Sequence, residues 1–423
     1  MINHLTGLFY GWRMVAASAA VRVLGAGLHS YGFTVFFLPL SQELNLSRTA
    51  TSFAFSLSRA EGAIEGPIVG HLLDRYGPRP IMIAAVVTMG IGYLLLSQIE
   101  SYVAFLLIYT GLISLTHAGG FMHAPMTLTN TWFIRLRARA MTINSAAYGV
   151  GGMLIAPVLS LVVHSWGWRW GAAAAGITFI VFGLPLCLMI RRSPESMGLL
   201  PDGASAADTK IIDGGAAAIV NETNVSAAQA IRSLAFWALV FGAAVRNASY
   251  HAISTHFMPL MIWKGMSQQQ AALLLSGFAF FGFVSTLLFG WLADSMNKPR
   301  LVSCILFTAS VSILFPLFGS SIGHLWFFIL LFTTVEATYP VAWAMVGDIF
   351  GRTHFAKIRG YMSVFYVWGS VIGPVLAGAI WDRWQTYEPM LWAVVAMFFL
   401  SGVFYSLLAK PWARPKMCAP RAS

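Results

Sequence analysis

Charge is the scarcest property of this sequence. Only 10% of its 423 residues are charged and 58% are hydrophobic, whereas a soluble domain carries about a quarter charged residues. With 26 basic and 15 acidic side chains, the chain cannot clothe the two or three soluble domains that its length would otherwise make. An ordinary cytosolic enzyme is therefore excluded. Cysteine is scarce too: Cys187, Cys304 and Cys418 lie too far apart for a disulfide framework or a Cys-x-x-Cys metal or redox site. The sequence has no Gly-x-x-x-x-Gly-Lys-Ser/Thr loop to cradle ATP phosphates, no catalytic Ser/His or paired-Asp motif, and no His-Glu-x-x-His. These absences exclude an ATP-driven pump and an intramembrane enzyme, and no cofactor or metal is expected. A formal charge of +11 raises nucleic acid as a partner. A nucleic-acid binder, however, gathers its cations on one face, and here they are scattered between apolar runs.

Those apolar runs are what the chain has in abundance. A helix that crosses a bilayer needs about 20 mostly apolar residues. Cutting the sequence at charge clusters and turn residues leaves twelve such segments, near 13–37, 49–72, 79–98, 103–131, 138–163, 170–190, 233–262, 268–292, 300–319, 323–349, 358–381 and 387–409. Backbone groups in hydrocarbon must bond within a helix or a closed barrel, and runs this long exclude the ten-residue strands of a barrel. The first run continues past the small residues near Ala16 to Ala20, so it reads as a retained helix and not a signal peptide. The longest polar stretch, 191–232, is rich in Ala, Gly, Ser and Asp. It reads as a cytoplasmic linker between an N-terminal half, 1–190, and a C-terminal half with a short cytoplasmic tail, 233–423.

The halves repeat each other at a shift of 220 residues. Gly70-His-Leu-Leu-Asp74 recurs as Gly290-Trp-Leu-Ala-Asp294, and the same shift pairs Pro39 with Pro259, Ser47 with Ser267, Arg139 with Arg359 and Gly149 with Gly369. The expectation is an all-α membrane protein, an ancient duplication with twelve transmembrane helices in two pseudo-symmetric six-helix halves. Cations set its orientation. With both termini in the cytoplasm, nineteen of the 26 Lys and Arg fall on that side, and only Arg48, Arg169, Lys264 and Arg383 fall on the other. This positive-inside bias accounts for the net charge without a nucleic-acid partner.

Gly70-His-Leu-Leu-Asp74-Arg75-Tyr-Gly77-Pro-Arg79 lies where the second and third runs must reverse in a short cytoplasmic loop. The glycines suit tight backbone geometry, and Asp74 suits a helix N-terminus or a nearby arginine. The run resembles the G-x-x-x-D-R-x-G-x-R signature of the major facilitator superfamily, with a degenerate second copy at Gly290, Asp294, Lys298 and Arg300. That resemblance covers almost the whole chain and implies the major facilitator fold. It also implies that Gly70, Asp74, Arg75, Gly77 and Arg79, with Gly290, Asp294 and Arg300, act as a conformational latch and not as a substrate site.

Three further segments are similar to the bacterial monocarboxylate-porter and oxalate/formate-antiporter-like branch. They are Tyr10-Gly-Trp12, Trp132-Phe133-Ile-Arg135-Leu-Arg137-Ala-Arg139-Ala140, and Arg192-Ser-Pro-Glu195-Ser-Met-Gly198-Leu-Leu-Pro201-Asp202-Gly203. The branch implies a bacterial inner membrane. The chain departs from it in one respect: the eighth run holds no arginine and the eleventh no lysine, so the cation with which branch members hold carboxylates must be sought elsewhere.

Charges inside lipid cost a few kcal/mol or more and usually have a partner or a function. Counted along helices from the cytoplasmic ends, Arg59, Arg246 and Glu336 lie about 20 Å deep, near the midplane. Arg22, Glu65 and His123 lie roughly 10–14 Å deep. Two guanidiniums from opposite halves suit a bidentate carboxylate. Arg246 is thus the expected anchor and Arg59 its assistant, with His29, Asn247, Tyr250 and Tyr339 shaping the cavity. The alternative is static pairing of Arg246 with Glu336, and of Arg59 with Glu61 or a carbonyl. Glu336 is the first candidate for proton coupling and His117 the second, while simple hydrogen bonding in a helix interface is the competing account of His117 and His123. Glu61 and Glu65, four residues apart, lack ligating His or Cys and read with Arg22 and His123 as a buried charge cluster, not a metal site.

The expected function is secondary active transport of a small organic anion, monocarboxylate-like, by alternating access with proton coupling. Its partners would be the anion, protons and the lipid bilayer, and the chain would act as a monomer. Export of a lipophilic or drug-like compound, and anion antiport, are the alternatives. A nutrient sensor would want a larger soluble domain than this chain holds.

Overall fold

The computed structural model describes residues 9–44, 65–203 and 225–409. Among the described residues there is helix and no strand, as hydrocarbon requires of a backbone that has no water to bond. These residues fall into two compact units. One lies within Met1–Glu222 together with Arg352–Tyr361, the other within Thr223–Gly351 and Met362–Ser423.

The first unit holds α1, residues 10–43, in the pieces Tyr10–Gly25, Ala26–Ser30 and Gly32–Glu43. It continues with α2 (65–76), α3 (Pro78–Leu96), α4 (Tyr102–Trp132), α5 (Arg137–Trp166) and α6 (Trp168–Met189). The second holds α7 (Leu234–Thr255, continued by Phe257–Trp263), α8 (Gln268–Ala293), α9 (Lys298–Phe318), α10 (Ile322–Phe350), most of α11 (Phe355–Trp384) and α12 (Glu388–Leu407). Twelve helical stretches thus stand where the sequence reads twelve apolar runs. Among the described residues nine are long and apolar enough to cross a bilayer. The other three are α1, broken at Tyr31, α2, described only from residue 65, and α7, broken at His256. Because α11 begins at Phe355 and not near 358, Lys357 falls in its first turn, which corrects the expectation of a lysine-free eleventh helix. Arg59 and Glu61 lie outside the described residues, as do 204–224 of the linker and the tail from 410.

Caps explain where helices begin. Ser101 accepts from the Ala104 N–H at 3.2 Å to open α4, Ser233 from the Phe236 N–H at 3.2 Å to open α7, and Asn297 from the Arg300 N–H at 3.2 Å to open α9. Ser267 and Gln270 form a reciprocal capping box at the start of α8. Gly77 separates α2 from α3 at φ 83°, a conformation that a Cβ would strain. At the other end of the first unit, Arg169 donates to Glu43 Oε1 at 2.8 Å and to the carbonyls of Ser97 and Ile99 at 2.9 and 2.7 Å. One side chain therefore ties the ends of α1 and α3 to the start of α6.

Large apolar side chains fill each unit: Met82, Met89, Phe105, Phe121 and Phe179 in the first, Leu306, Phe328, Phe332 and Phe398 in the second. Leu154, Val158 and Leu161 of α5, and Phe280 and Trp291 of α8, are exposed, as suits faces solvated by lipid. The helices of the first unit are interrupted by π-helical segments at Ala26–Ser30, Tyr109–Ser114, Ala118–His123 and Phe179–Gly183. Among the described residues the second unit has no such segment. Its α10 has instead a 3-10 stretch at Thr333–Ala337.

Candidate functional site

Arg246 sits in the middle of α7 and is only 7% exposed. A guanidinium buried so deeply must have its donors met. Its Nε donates to Thr338 Oγ1 at 3.0 Å, one Nη to Asn247 Oδ1 at 2.9 Å, and the other Nη to the Val335 carbonyl at 2.9 Å. Thr338 can accept because its own hydroxyl hydrogen goes to Val335 O, 2.6 Å away. The 3-10 stretch of α10 supplies that carbonyl, and Thr338 follows the stretch directly. Three of five N–H groups are thus engaged. Among the described residues two remain without an acceptor, one on each terminal nitrogen, which is the number that a bidentate carboxylate takes.

The guanidinium also lies over the Tyr250 ring, 5.0 Å from its centroid, a cation–π contact strengthened by desolvation. Tyr250 in turn stacks on Phe332, with centroids 6.0 Å apart and planes 7° apart, and its hydroxyl donates to Glu336 Oε1. Among the described residues no ion pair joins Arg246 to Glu336. Static pairing, the alternative reading of Arg246, is replaced by a relay from guanidinium to phenol to carboxylate. Gly282 of α8 makes room for that carboxylate, since a Cβ there would stand 3.3 Å from Glu336 Cγ.

Arg246 opens onto a pocket of the second unit whose space unfilled by protein atoms, open solvent included, is about 380 Å³. Leu239, Ala243 and Asn247 of α7, Thr338, Tyr339, Ala342, Trp343 and Val346 of α10, Met362 and Tyr366 of α11, and Tyr405 of α12 complete its wall. Of the expected substrate residues, Arg246, Asn247 and Tyr339 share this wall, and Tyr250 stands behind Arg246. Thr338, Trp343, Tyr366 and Tyr405 were not expected. The available signal was depth, since Thr338 and Trp343 flank Tyr339 at one and four positions on the same helix.

His29 belongs to the first unit, where it and His117 meet with ring centroids 4.4 Å apart. Arg22 of α1 donates to the Met122 sulfur at 3.7 Å. His123 is close enough to Arg22 and Arg359 to feel both charges, and Glu65 is buried. Arg359 donates to the carbonyls of Met122 and His123 at 3.1 and 3.3 Å, groups in the π-helical part of α4.

Asp74, in the last turn of α2 beyond the apolar run at 49–72, accepts from the backbone N–H groups of Ala356 and Lys357 at 3.2 and 3.1 Å. It thereby caps α11, whose first turn otherwise leaves these donors orphaned. Burial pushes its carboxyl up to about 7, against the pull of those two donors. Gly70 permits the contact, since a Cβ there would lie 2.4 Å from the Ala356 carbonyl oxygen. Arg192 donates to the Arg75 carbonyl at 3.2 Å, and its side chain packs against Gly77. In the second copy Lys298 pairs with Asp348 at 2.8 Å.

The three segments that resemble the porter branch also come together. Asp202 accepts from the backbone N–H groups of Ile134, Arg135 and Leu136 at 3.0, 2.8 and 3.2 Å. Tyr10 and Trp12 pack their rings on Trp132 and Phe133. Arg352 bridges the Thr131 carbonyl and Glu195, each at 2.9 Å.

The model of the Major Facilitator Superfamily matches residues 18–333 and again 225–416. Monocarboxylate transporter 2 of Mesocricetus auratus is 25% identical over 437 residues, which cover 96% of this chain and 87% of that protein. The oxalate:formate antiporter of Oxalobacter formigenes is 25% identical over 389 residues, 87% of this chain and 84% of the antiporter. Among solved structures, the major facilitator transporter FucP in its outward conformation has a TM-score of 0.70 at 13% identity. The match covers 93% of this chain and 98% of that one, a likeness of fold.

Proposed function

This chain belongs to the major facilitator superfamily and is a multi-pass membrane transporter, and from that premise we propose that it moves a small organic anion with one carboxylate. The observation that carries this reading is the guanidinium of Arg246, buried, fixed by three acceptors and left with two N–H groups at the wall of an aromatic cavity. An anchor already oriented before its ligand arrives loses little entropy on binding. Asn247, Tyr250 and Tyr339 shape the site from the same unit. The similarity to a monocarboxylate transporter and to an oxalate:formate antiporter supports the same class of substrate.

Proton coupling runs through Glu336. Arg246 lies over the Tyr250 ring and the Tyr250 hydroxyl donates to Glu336, so filling of the anion site is felt at the coupling carboxylate. His117 is the second coupling residue. The Asp74 contact, with Gly70, Arg75, Gly77 and Arg79, is the latch of the transport cycle, and Gly290, Asp294 and Arg300 are its degenerate counterpart. The chain works as a monomer in a bacterial inner membrane with both termini in the cytoplasm.

The test is binding and uptake by the purified protein in lipid vesicles, measured against a panel of mono- and dicarboxylates. Arg246→Gln is expected to lower affinity for the preferred monocarboxylate by tenfold or more while folding is retained. Unchanged affinity and uptake in that variant would remove Arg246 as anchor. Absence of carboxylate binding by the wild type, together with extrusion of lipophilic compounds from cells, would favour export instead.

A further inference from the structure

We propose that His29 and His117 form a one-proton site in the first unit, the counterpart of the anion site in the second. The proposal rests on the transport reading above and adds to Glu336 a second station for the proton, one that coupling also needs.

Hydrogen bonding fixes the state of His29. Tyr93 of α3 has one hydroxyl hydrogen, and it goes to the Leu28 carbonyl at 3.1 Å. The oxygen of Tyr93 can therefore only accept from His29 Nδ1, 3.2 Å away. Nδ1 thus carries the hydrogen in the neutral ring, and Nε2 keeps the basic lone pair. His117 of α4 meets Ser30 Oγ through Nε2 at 3.2 Å, and its Nδ1 is buried. Two imidazoles therefore stand in contact, tilted by 46°, and among the described residues His117 Nδ1 has no partner.

One proton on either ring is shared by the pair. A second would place two like charges about 4 Å apart, which a low-dielectric interior opposes strongly. The charged or titratable groups that come near the pair are Tyr93 of α3, which touches His29, Tyr109 of α4, whose ring lies 5.7 Å from that of His29, and Arg22 of α1, whose charge reaches His117. Arg22 reinforces the limit of one proton. The proton leaves a hydronium ion on one side, its O–H bond breaking as the N–H bond forms, and passes to water on the other by the reverse step.

The backbone around the pair departs from α-helical geometry. His29 lies inside the π-helical segment Ala26–Ser30, and His117 lies in a single turn of α-helix between Tyr109–Ser114 and Ala118–His123. Such segments carry an extra residue per turn and recur at functional sites.

The internal repeat supplies the independent argument. The shift of 220 residues puts Arg246 opposite Ala26, Tyr250 opposite Ser30, Glu336 opposite Thr116 and Thr338 opposite Ala118. His29 and His117 in turn correspond to Ser249 and Ala337. The same helix pair, the first and fourth of each half, holds a guanidinium in one copy and two imidazoles in the other. Duplication followed by divergence has given one copy to the anion and the other to the cation that neutralises it.

Two measurements on proteoliposomes separate this assignment from the transport reading. Counterflow of labelled monocarboxylate at equal pH needs no net proton movement, whereas accumulation against an imposed pH gradient does. His29→Gln and His117→Gln are expected to keep counterflow within about threefold of wild type and to lose accumulation by tenfold or more, with a flattened pH profile. Accumulation and pH profile unchanged in both variants and in their combination would overturn the proton site. Failure of wild-type counterflow would instead overturn the transport reading. Should the variants not fold, histidine-labelled wild type can be titrated by NMR. A single protonation step shared by two of its imidazoles supports the proposal, and two independent steps overturn it.

Discussion

At the scale of single residues, Tyr250 is the most informative position, because its ring and its hydroxyl do different things. The ring carries the guanidinium of Arg246 at 5.0 Å, and the hydroxyl donates to Glu336. Tyr250→Phe keeps the first contact and deletes the second. Affinity for the anion is expected to stay within about threefold of wild type, while the pH dependence of uptake shifts, because Glu336 loses its donor. Equal shifts in both quantities would mean that the two functions are not separable at this ring. Arg246 itself was legible in the sequence, since a cation deep in an apolar run is rare and costly. Its acceptors were not. Thr338 and the Val335 carbonyl are reached through a 3-10 stretch, and no residue pattern marks where a helix leaves α geometry.

At the scale of elements, length decided what the sequence could reveal. Runs of about 20 apolar residues force helices in hydrocarbon, so the twelve stretches were legible, their described ends to within six residues with the start of α2 outside the described residues, and the caps at Ser101, Ser233 and Ser267 explain several starts. The π-helical segments of α1, α4 and α6 were not legible, because they follow from packing. A loop element offers the clearest test. Asp202 holds the turn before α5 through three backbone N–H groups and adopts φ 58°, a conformation that Asp and Asn tolerate better than other residues with a Cβ. Asp202→Ala loses both acceptors and that tolerance, and is expected to cost roughly 2 kcal/mol. Asp202→Asn keeps the tolerance and one acceptor oxygen, so its midpoint of thermal unfolding should fall between alanine and wild type. An alanine variant as stable as the asparagine variant would show that the turn is held by the aromatic packing of Tyr10, Trp12, Trp132 and Phe133 instead.

At the scale of the whole molecule, the start of α11 is the telling segment, because Arg352–Tyr361 packs with the first unit while the rest of the helix belongs to the second. The repeat and the cation bias were legible because duplication and topology leave marks along the sequence. This docking was not, since it joins Asp74 to backbone donors 282 and 283 residues away. It has a pH dependence of definite sign. Free of the contact, Asp74 titrates near its ordinary value of 3.8, and in the contact burial raises it to about 7. The docked form therefore binds the proton more tightly. Its advantage is complete below the ordinary value and is lost as pH rises through about 7, above which both forms are ionised and the curve is flat. Measured between pH 5 and 8, thermal stability of the wild type should decline relative to Asp74→Asn up to about pH 7 and run parallel to it beyond. A constant difference across the whole range would mean that Asp74 stays ionised in the contact, with the two N–H groups of α11 outweighing its burial.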